Sequence, residues 1–117
     1  HLRVPTSMVS AMDLTLEVDS TATAAEVLGC LNNAANGHYL RILGTCPDPV
    51  SSLDFAHDPR SVIVDLTQLR VIDNRVIKLL CWFDNEWAFA NRMIDIALQT
   101  AGFERLNARR GGMTMVH

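Results

Sequence analysis

What this 117-residue chain has little of narrows it first. Its three cysteines, Cys30, Cys46 and Cys81, form no CxxC pair and no zinc spacing. An odd count in a short chain speaks against a disulfide framework and for a reducing compartment. No apolar run approaches the ~20 residues that a membrane span needs, and the chain does not open on a signal-peptide layout. The expectation is a cytoplasmic protein with no membrane contact. An excess of basic charge is also missing: the net charge is -3, which gives no electrostatic reason to expect nucleic acid. The one basic cluster, Arg105, Arg109 and Arg110, lies in a C-terminal tail and reads as a solvated end. There is no glycine-rich phosphate loop, no GxSxG motif, no internal repeat and no low-complexity tract.

What is present fits one globular core, with 49% hydrophobic and 20% charged residues. From Met12 to Asp19 the even positions Met12, Leu14, Leu16 and Val18 are apolar and the odd positions polar, a strand with one buried face. Pro5 suits the entry to that strand. Thr23 and Glu26 make a capping-box pattern, and Val27, Leu28, Leu31, Ala34 and Ala35 recur at helical spacing. Asn36-Gly37 offers a left-handed stop. A brief strand is read at Tyr39 to Leu43, then a loop from Gly44 to Pro59 rich in turn residues. Two strands, Ser61 to Val71 and Arg75 to Phe83, flank a tight hairpin turn at Asp73-Asn74. Both are apolar on two faces, which places them centrally in the sheet. A last helix runs from about Asn85 to Ala101 and stops at Gly102. The reading is an α+β fold: a mostly antiparallel sheet with two helices packed on it over residues 1-101, and a tail over 102-117. The abrupt start, and strands that want more cover than two helices give, suggest a neighbour in a longer parent chain or an oligomer.

Few residues offer chemistry. Cys46 beside Pro47 has no histidine or helix N-terminus near it in sequence and reads as an inert thiol, and Cys81 as core. Asp54, His57 and Asp58 match no usual metal spacing, and a turn held by Asx hydrogen bonds is the better reading, so no metal site is expected. Arg3, ahead of Val4-Pro5-Thr6, is either a solvated arginine or a bidentate phosphate ligand. Asn85 either caps the last helix or turns its amide outward to a ligand.

Both positions lie in motifs that resemble a known family. Arg3-Val4-Pro5-Thr6 followed by Val9-Ser10 and Asp13-Leu14-Thr15 resembles the middle of the catalytic domain of glyceraldehyde-3-phosphate dehydrogenases. Ser52-Leu53-Asp54-Phe55 with Asp58 and Ser61 resembles that family's next signature. Lys78, the run Trp82 to Trp87, and Ala90-Asn91-Arg92-Met93 resemble its last. In this order they cover about residues 2 to 98. Asp54 to Pro59, Ile63-Val64-Asp65, Thr67-Gln68 with Arg70-Val71, and Phe89 to Arg92 are closest to the D-erythrose-4-phosphate dehydrogenase branch. Phe89 stands where the glycolytic enzymes have tyrosine, and Ala88 where both groups have glycine.

The resemblance implies an NAD-dependent oxidation of a phosphorylated aldose, erythrose-4-phosphate or glyceraldehyde-3-phosphate. In that chemistry a cysteine attacks the aldehyde, a histidine assists, and hydride passes to the nicotinamide. It further implies that Arg3 binds the substrate phosphate, Asn85 the nicotinamide carboxamide, and that Phe89 packs beside the ring. The family's nucleotide-binding fold, nucleophile and histidine motifs precede the point at which this sequence starts, so no catalytic residue is expected in this chain. A fragment inactive by itself is the first expectation. A non-catalytic module that self-associates into a homo-oligomer through its sheet is the alternative.

Overall fold

The computed structural model describes residues 4-5 and 9-102. The sheet has four strands in the order β1 (Ser10-Glu17), β4 (Val76-Phe83), β3 (Val62-Ile72), β2 (Leu43-Cys46). β1 and β3 flank β4 antiparallel, while β2 runs parallel to β3. The sheet is therefore mixed, and the single parallel pair is where it departs from the antiparallel expectation. The two-sided apolar strands take the two central positions, as their pattern requires. Ile63 and Val64, successive residues on opposite faces, are 1% and 3% exposed.

On one face α1 (Ala24-Asn36) packs across β2 and β3. Val27 and Leu31, one turn apart, meet the buried cluster of Val64, Leu69, Ile77, Leu79 and Cys81. Thr23 accepts the Glu26 N-H at 3.3 Å, while the Glu26 carboxylate accepts the Thr23 N-H at 2.8 Å, closing the capping box. The far end differs from expectation. Gly37 closes α1 with φ -118°, outside the left-handed region. A Cβ there would lie 2.8 Å from the Asn33 carbonyl oxygen, so close approach, rather than handedness, selects glycine.

β1 begins and ends two residues earlier than its alternation suggests. Its apolar positions do face the core, since Met12, Leu14 and Leu16 pair with Cys81, Leu79 and Ile77. Only Leu14 among them is half-buried, because α1 covers the opposite edge of the sheet. The short strand also shifts: Tyr39 to Ile42 form turns, Arg41 having a positive φ of 72°, and pairing starts at Leu43. Within the expected loop, Ser52-Phe55 forms a 3-10 turn whose Ser51 N-H is accepted by Asp54 at 2.7 Å.

β3 and β4 are joined through Asp73, Asn74 and Arg75; Asp73 and Asn74 have positive φ (49° and 55°), which suits the right-handed twist of a hairpin, and the Arg75 N-H closes the turn on the Ile72 carbonyl at 3.1 Å. Further along, β3 bulges. Asp65 pairs with Leu80 and Arg70 with Lys78, so Leu66 to Leu69 together face Leu79 alone. The buried Asp65 carboxylate holds this bulge, accepting the Thr67 N-H at 3.0 Å, the Thr67 hydroxyl, and the Trp82 indole N-H at 3.3 Å. The extra residues bring both Leu66 and Leu69 to the core.

α2 (Asn85-Thr100) follows β4 directly and stops at Gly102 with φ 75°. Its first turn is tied to the loop at His57 through Asp84 and Trp87, and Ala88 is buried, while Phe55 stacks on Trp82 at 5.7 Å on the sheet's second face. Beyond them, Phe89, Met93 and Ile96 on one flank and Trp87, Ile94 and Leu98 on the other are exposed. An apolar helix of this kind normally sits inside a larger body.

Candidate functional site

The junction of β4 and α2 carries the densest polar organisation near a candidate residue. Aspartate is a preferred N-cap, and Asp84 takes that role: its Oδ1 accepts the Trp87 N-H at 3.1 Å. Its Oδ2 accepts the His57 N-H at 2.9 Å, tying the loop after the 3-10 turn to the start of α2. These backbone hydrogen bonds, first from His57 and then from Trp87, hold the Asp84 carboxyl below the usual carboxylate range. The His57 ring lies 4.8 Å from that of Trp87. His57 has φ 61°, a conformation its bond to Asp84 helps to fix.

Because Asp84 caps the helix, Asn85 does not. Asn85 is the first residue of α2, is exposed, and its side chain makes no hydrogen bond among the described residues. Phe89 is four residues on, hence on the same helix face one turn later, and is 65% exposed. An amide with free donors and acceptor and an aromatic ring are thus presented together. Arg3, the expected phosphate ligand, lies outside the described residues, as does the tail from 103 onward.

Ala88 sits between these two groups, 5% exposed, with its N-H bonded to the Asp84 carbonyl at 2.9 Å. The methyl group is accommodated within regular helix. Ala88→Gly is expected to cost about 1-2 kcal/mol, from helix propensity and the lost buried methyl. Thermal unfolding followed by circular dichroism measures it, and a neutral result would show that the site prefers glycine.

The acidic loop is a structural turn. Asp58 accepts the Arg60 N-H at 2.9 Å, an Asx turn, and grips the Arg60 guanidinium at 2.9 and 2.6 Å. Burial pushes the Asp58 carboxyl up, but the Arg60 hydrogen bonds and charge outweigh it and hold it below the usual range. Cys81 is core, its thiol pushed up by burial. Cys46 donates to the Asp48 carbonyl at 3.5 Å and is half-buried.

A four-stranded mixed sheet, a helix on one face, and a second helix with an exposed amide and ring at its start define an α+β domain. Residues 1-85 match the C-terminal domain of glyceraldehyde 3-phosphate dehydrogenase, and the chain belongs to that family. It is thereby a member of an oxidoreductase family whose enzymes use NAD. Asn85 is the last residue inside the match, and Phe89 lies beyond it.

Proposed function

We propose that this chain supplies part of the substrate and cofactor pockets of an NAD-dependent oxidoreductase that oxidises a phosphorylated aldose, erythrose-4-phosphate or glyceraldehyde-3-phosphate. The observation that carries the reading is the division of labour at the start of α2. Asp84 takes the capping role, which leaves the Asn85 amide unspent beside Phe89. An amide can pair with the nicotinamide carboxamide, donor to acceptor and acceptor to donor, while an aromatic side chain packs on the ring. NAD would supply the hydride acceptor. Arg3 would hold the substrate phosphate through its planar fork.

On this reading the chain alone turns nothing over, since none of Cys30, Cys46 and Cys81 stands in the nucleophile's sequence context. It works in the cytoplasm as part of a homo-oligomer. The test is a pair of titrations on the 117-residue chain followed by NMR. NAD, which this chain alone is not expected to bind tightly, should at millimolar excess shift the Asn85 side-chain amide and Phe89, erythrose-4-phosphate should shift Arg3, and the mixture should produce no NADH. NADH formation would refute the inactivity, and an unmoved Asn85 would refute the cofactor site.

One observation favours a second role, self-association through the sheet. The face opposite α1 exposes Ile72 and the Asp13-Lys78 pair (3.2 Å), which neither helix covers. Sedimentation velocity distinguishes the two: concentration-dependent association without ligand shifts supports the module alone.

A further inference from the structure

The strongest unassigned feature is a cleft of about 330 Å³ between α2, the turn before β2 and the Asx turn. That size lies at the small end of ligand pockets. Its charged lining is Arg41, Arg60 and Arg92 against Asp58 and Asp95, one positive charge in excess on a chain of net charge -3. The three guanidinium groups are engaged to different degrees. Arg60 is clamped by Asp58 and lies against Gly44, where any Cβ would collide with the guanidinium. Arg92 donates Nη1 to the Arg41 carbonyl at 3.1 Å and to the Ser61 hydroxyl at 3.3 Å. Its Nη2 meets Asp95 at 2.7 Å. Arg92 Nε is buried with no partner. The exposed Arg41 side chain makes no hydrogen bond among the described residues.

A buried donor without an acceptor is a standing penalty. Nε and Nη2 form the edge of a guanidinium that takes an oxyanion bidentately, and Asp95 uses only half of it. Asp95 is 45% exposed, three residues along the same helix, and a pair of that kind contributes little. An anion more highly charged than a carboxylate can displace it. A phosphate has three terminal oxygens, enough for the Arg92 edge and the free Arg41 fork together, whereas a carboxylate has two. Space remains beside Leu40 and Pro59 for a short carbon skeleton.

We propose that this cleft binds a phosphate monoester, with Arg92 and Arg41 as its phosphate ligands and Asp95 as the carboxylate it displaces. The inference is independent of the site at Asn85 and Arg3. The test titrates the full chain with glycerol phosphate, following backbone amides by NMR, with inorganic phosphate and sulfate in parallel. Saturable shifts are expected at Arg41, Asn91 and Asp95. Arg41→Ala should weaken binding about tenfold, the loss of one charge-assisted contact, with the circular dichroism spectrum unchanged. Asp95→Asn should tighten binding, which a merely structural Asp95 would not do. Arg3→Ala should leave the shifts in place. Unmoved amides, an Arg41→Ala variant that binds normally, or loss of the shifts in Arg3→Ala would each overturn the proposal. Inorganic phosphate or sulfate binding as tightly as the ester would overturn the monoester assignment.

Discussion

Asp84→Ala is expected to lower stability by about 2-4 kcal/mol, read as a shift in the urea midpoint. Two losses combine. Removing an N-cap costs about 1 kcal/mol, within a range of roughly 0.5-2. Depriving the His57 N-H of its acceptor adds about 1-3 kcal/mol to the extent that loop collapse keeps it from water. Asp84→Asn should fall between, since a single carbonyl oxygen replaces the two carboxylate oxygens that serve Trp87 and His57. The pH dependence has a defined sign. The folded pKa lies below the ordinary value of 3.8, so the contribution is present above that value and is lost as pH falls through the folded pKa. Asp58 and Glu26 are lowered too, so only the difference between Asp84→Ala and the parent isolates Asp84. A gap between the two midpoints that stays constant down to strongly acid pH would show that the carboxylate charge contributes nothing.

Asp65→Ala should cost a similar amount, about 2-4 kcal/mol, through a different failure. Three donors converge on this 4%-exposed carboxylate, and two of them belong to Thr67 inside the bulge. Without the acceptor the bulge loses its fixed shape, and Leu66 and Leu69 lose their hold on the core. The third donor, the Trp82 indole, gives an optical readout, because Trp82 is stacked on Phe55. Its near-ultraviolet dichroism should weaken in Asp65→Ala before global unfolding. In Trp82→Phe the donor is absent, so Asp65→Ala on that background should cost less, by about 0.5-3 kcal/mol for residues in contact. Strict additivity would mean that the indole and the carboxylate do not interact.

Much of the fold was legible because it rests on periodicity and on local chemistry. Alternation gave β1 its correct face, Thr23 and Glu26 gave the start of α1, and Asp73-Asn74 gave the hairpin. What the sequence could not display was count and coverage. The bulge is invisible to pattern because Leu66 and Leu69 look like ordinary apolar residues of a two-faced strand, although four residues there answer one on β4. Met12 and Leu16 are apolar and face inward, yet 43% and 40% exposed, because coverage depends on where α1 lands.

The candidate site was legible in part. Asn85 and Phe89 came from a resemblance, and helical spacing puts them on one face. Asp84 was missed although its signal was present, an aspartate immediately before the helix with a backbone donor at Trp87 three residues on. Weighing only Asn85 as a possible cap hid it. The Asx turn at Asp58 was readable from residue type, but the clamp on Arg60 and the long-range bonds of Arg92 to Arg41 and Ser61 join segments distant in sequence. No local pattern carries them.

The strand order has a consequence for assembly of the chain in time. β4 meets β3 across a three-residue turn, whereas its nearest pair with β1, Glu17 with Val76, spans 59 positions (76 − 17). Closing the longer loop costs about 2-3 kcal/mol more chain entropy than closing the hairpin, by the logarithmic dependence on length. The central pair of the sheet is therefore the cheapest to nucleate, and the β1 edge, which carries Asp13 and its partner Lys78, is the last to be worth closing.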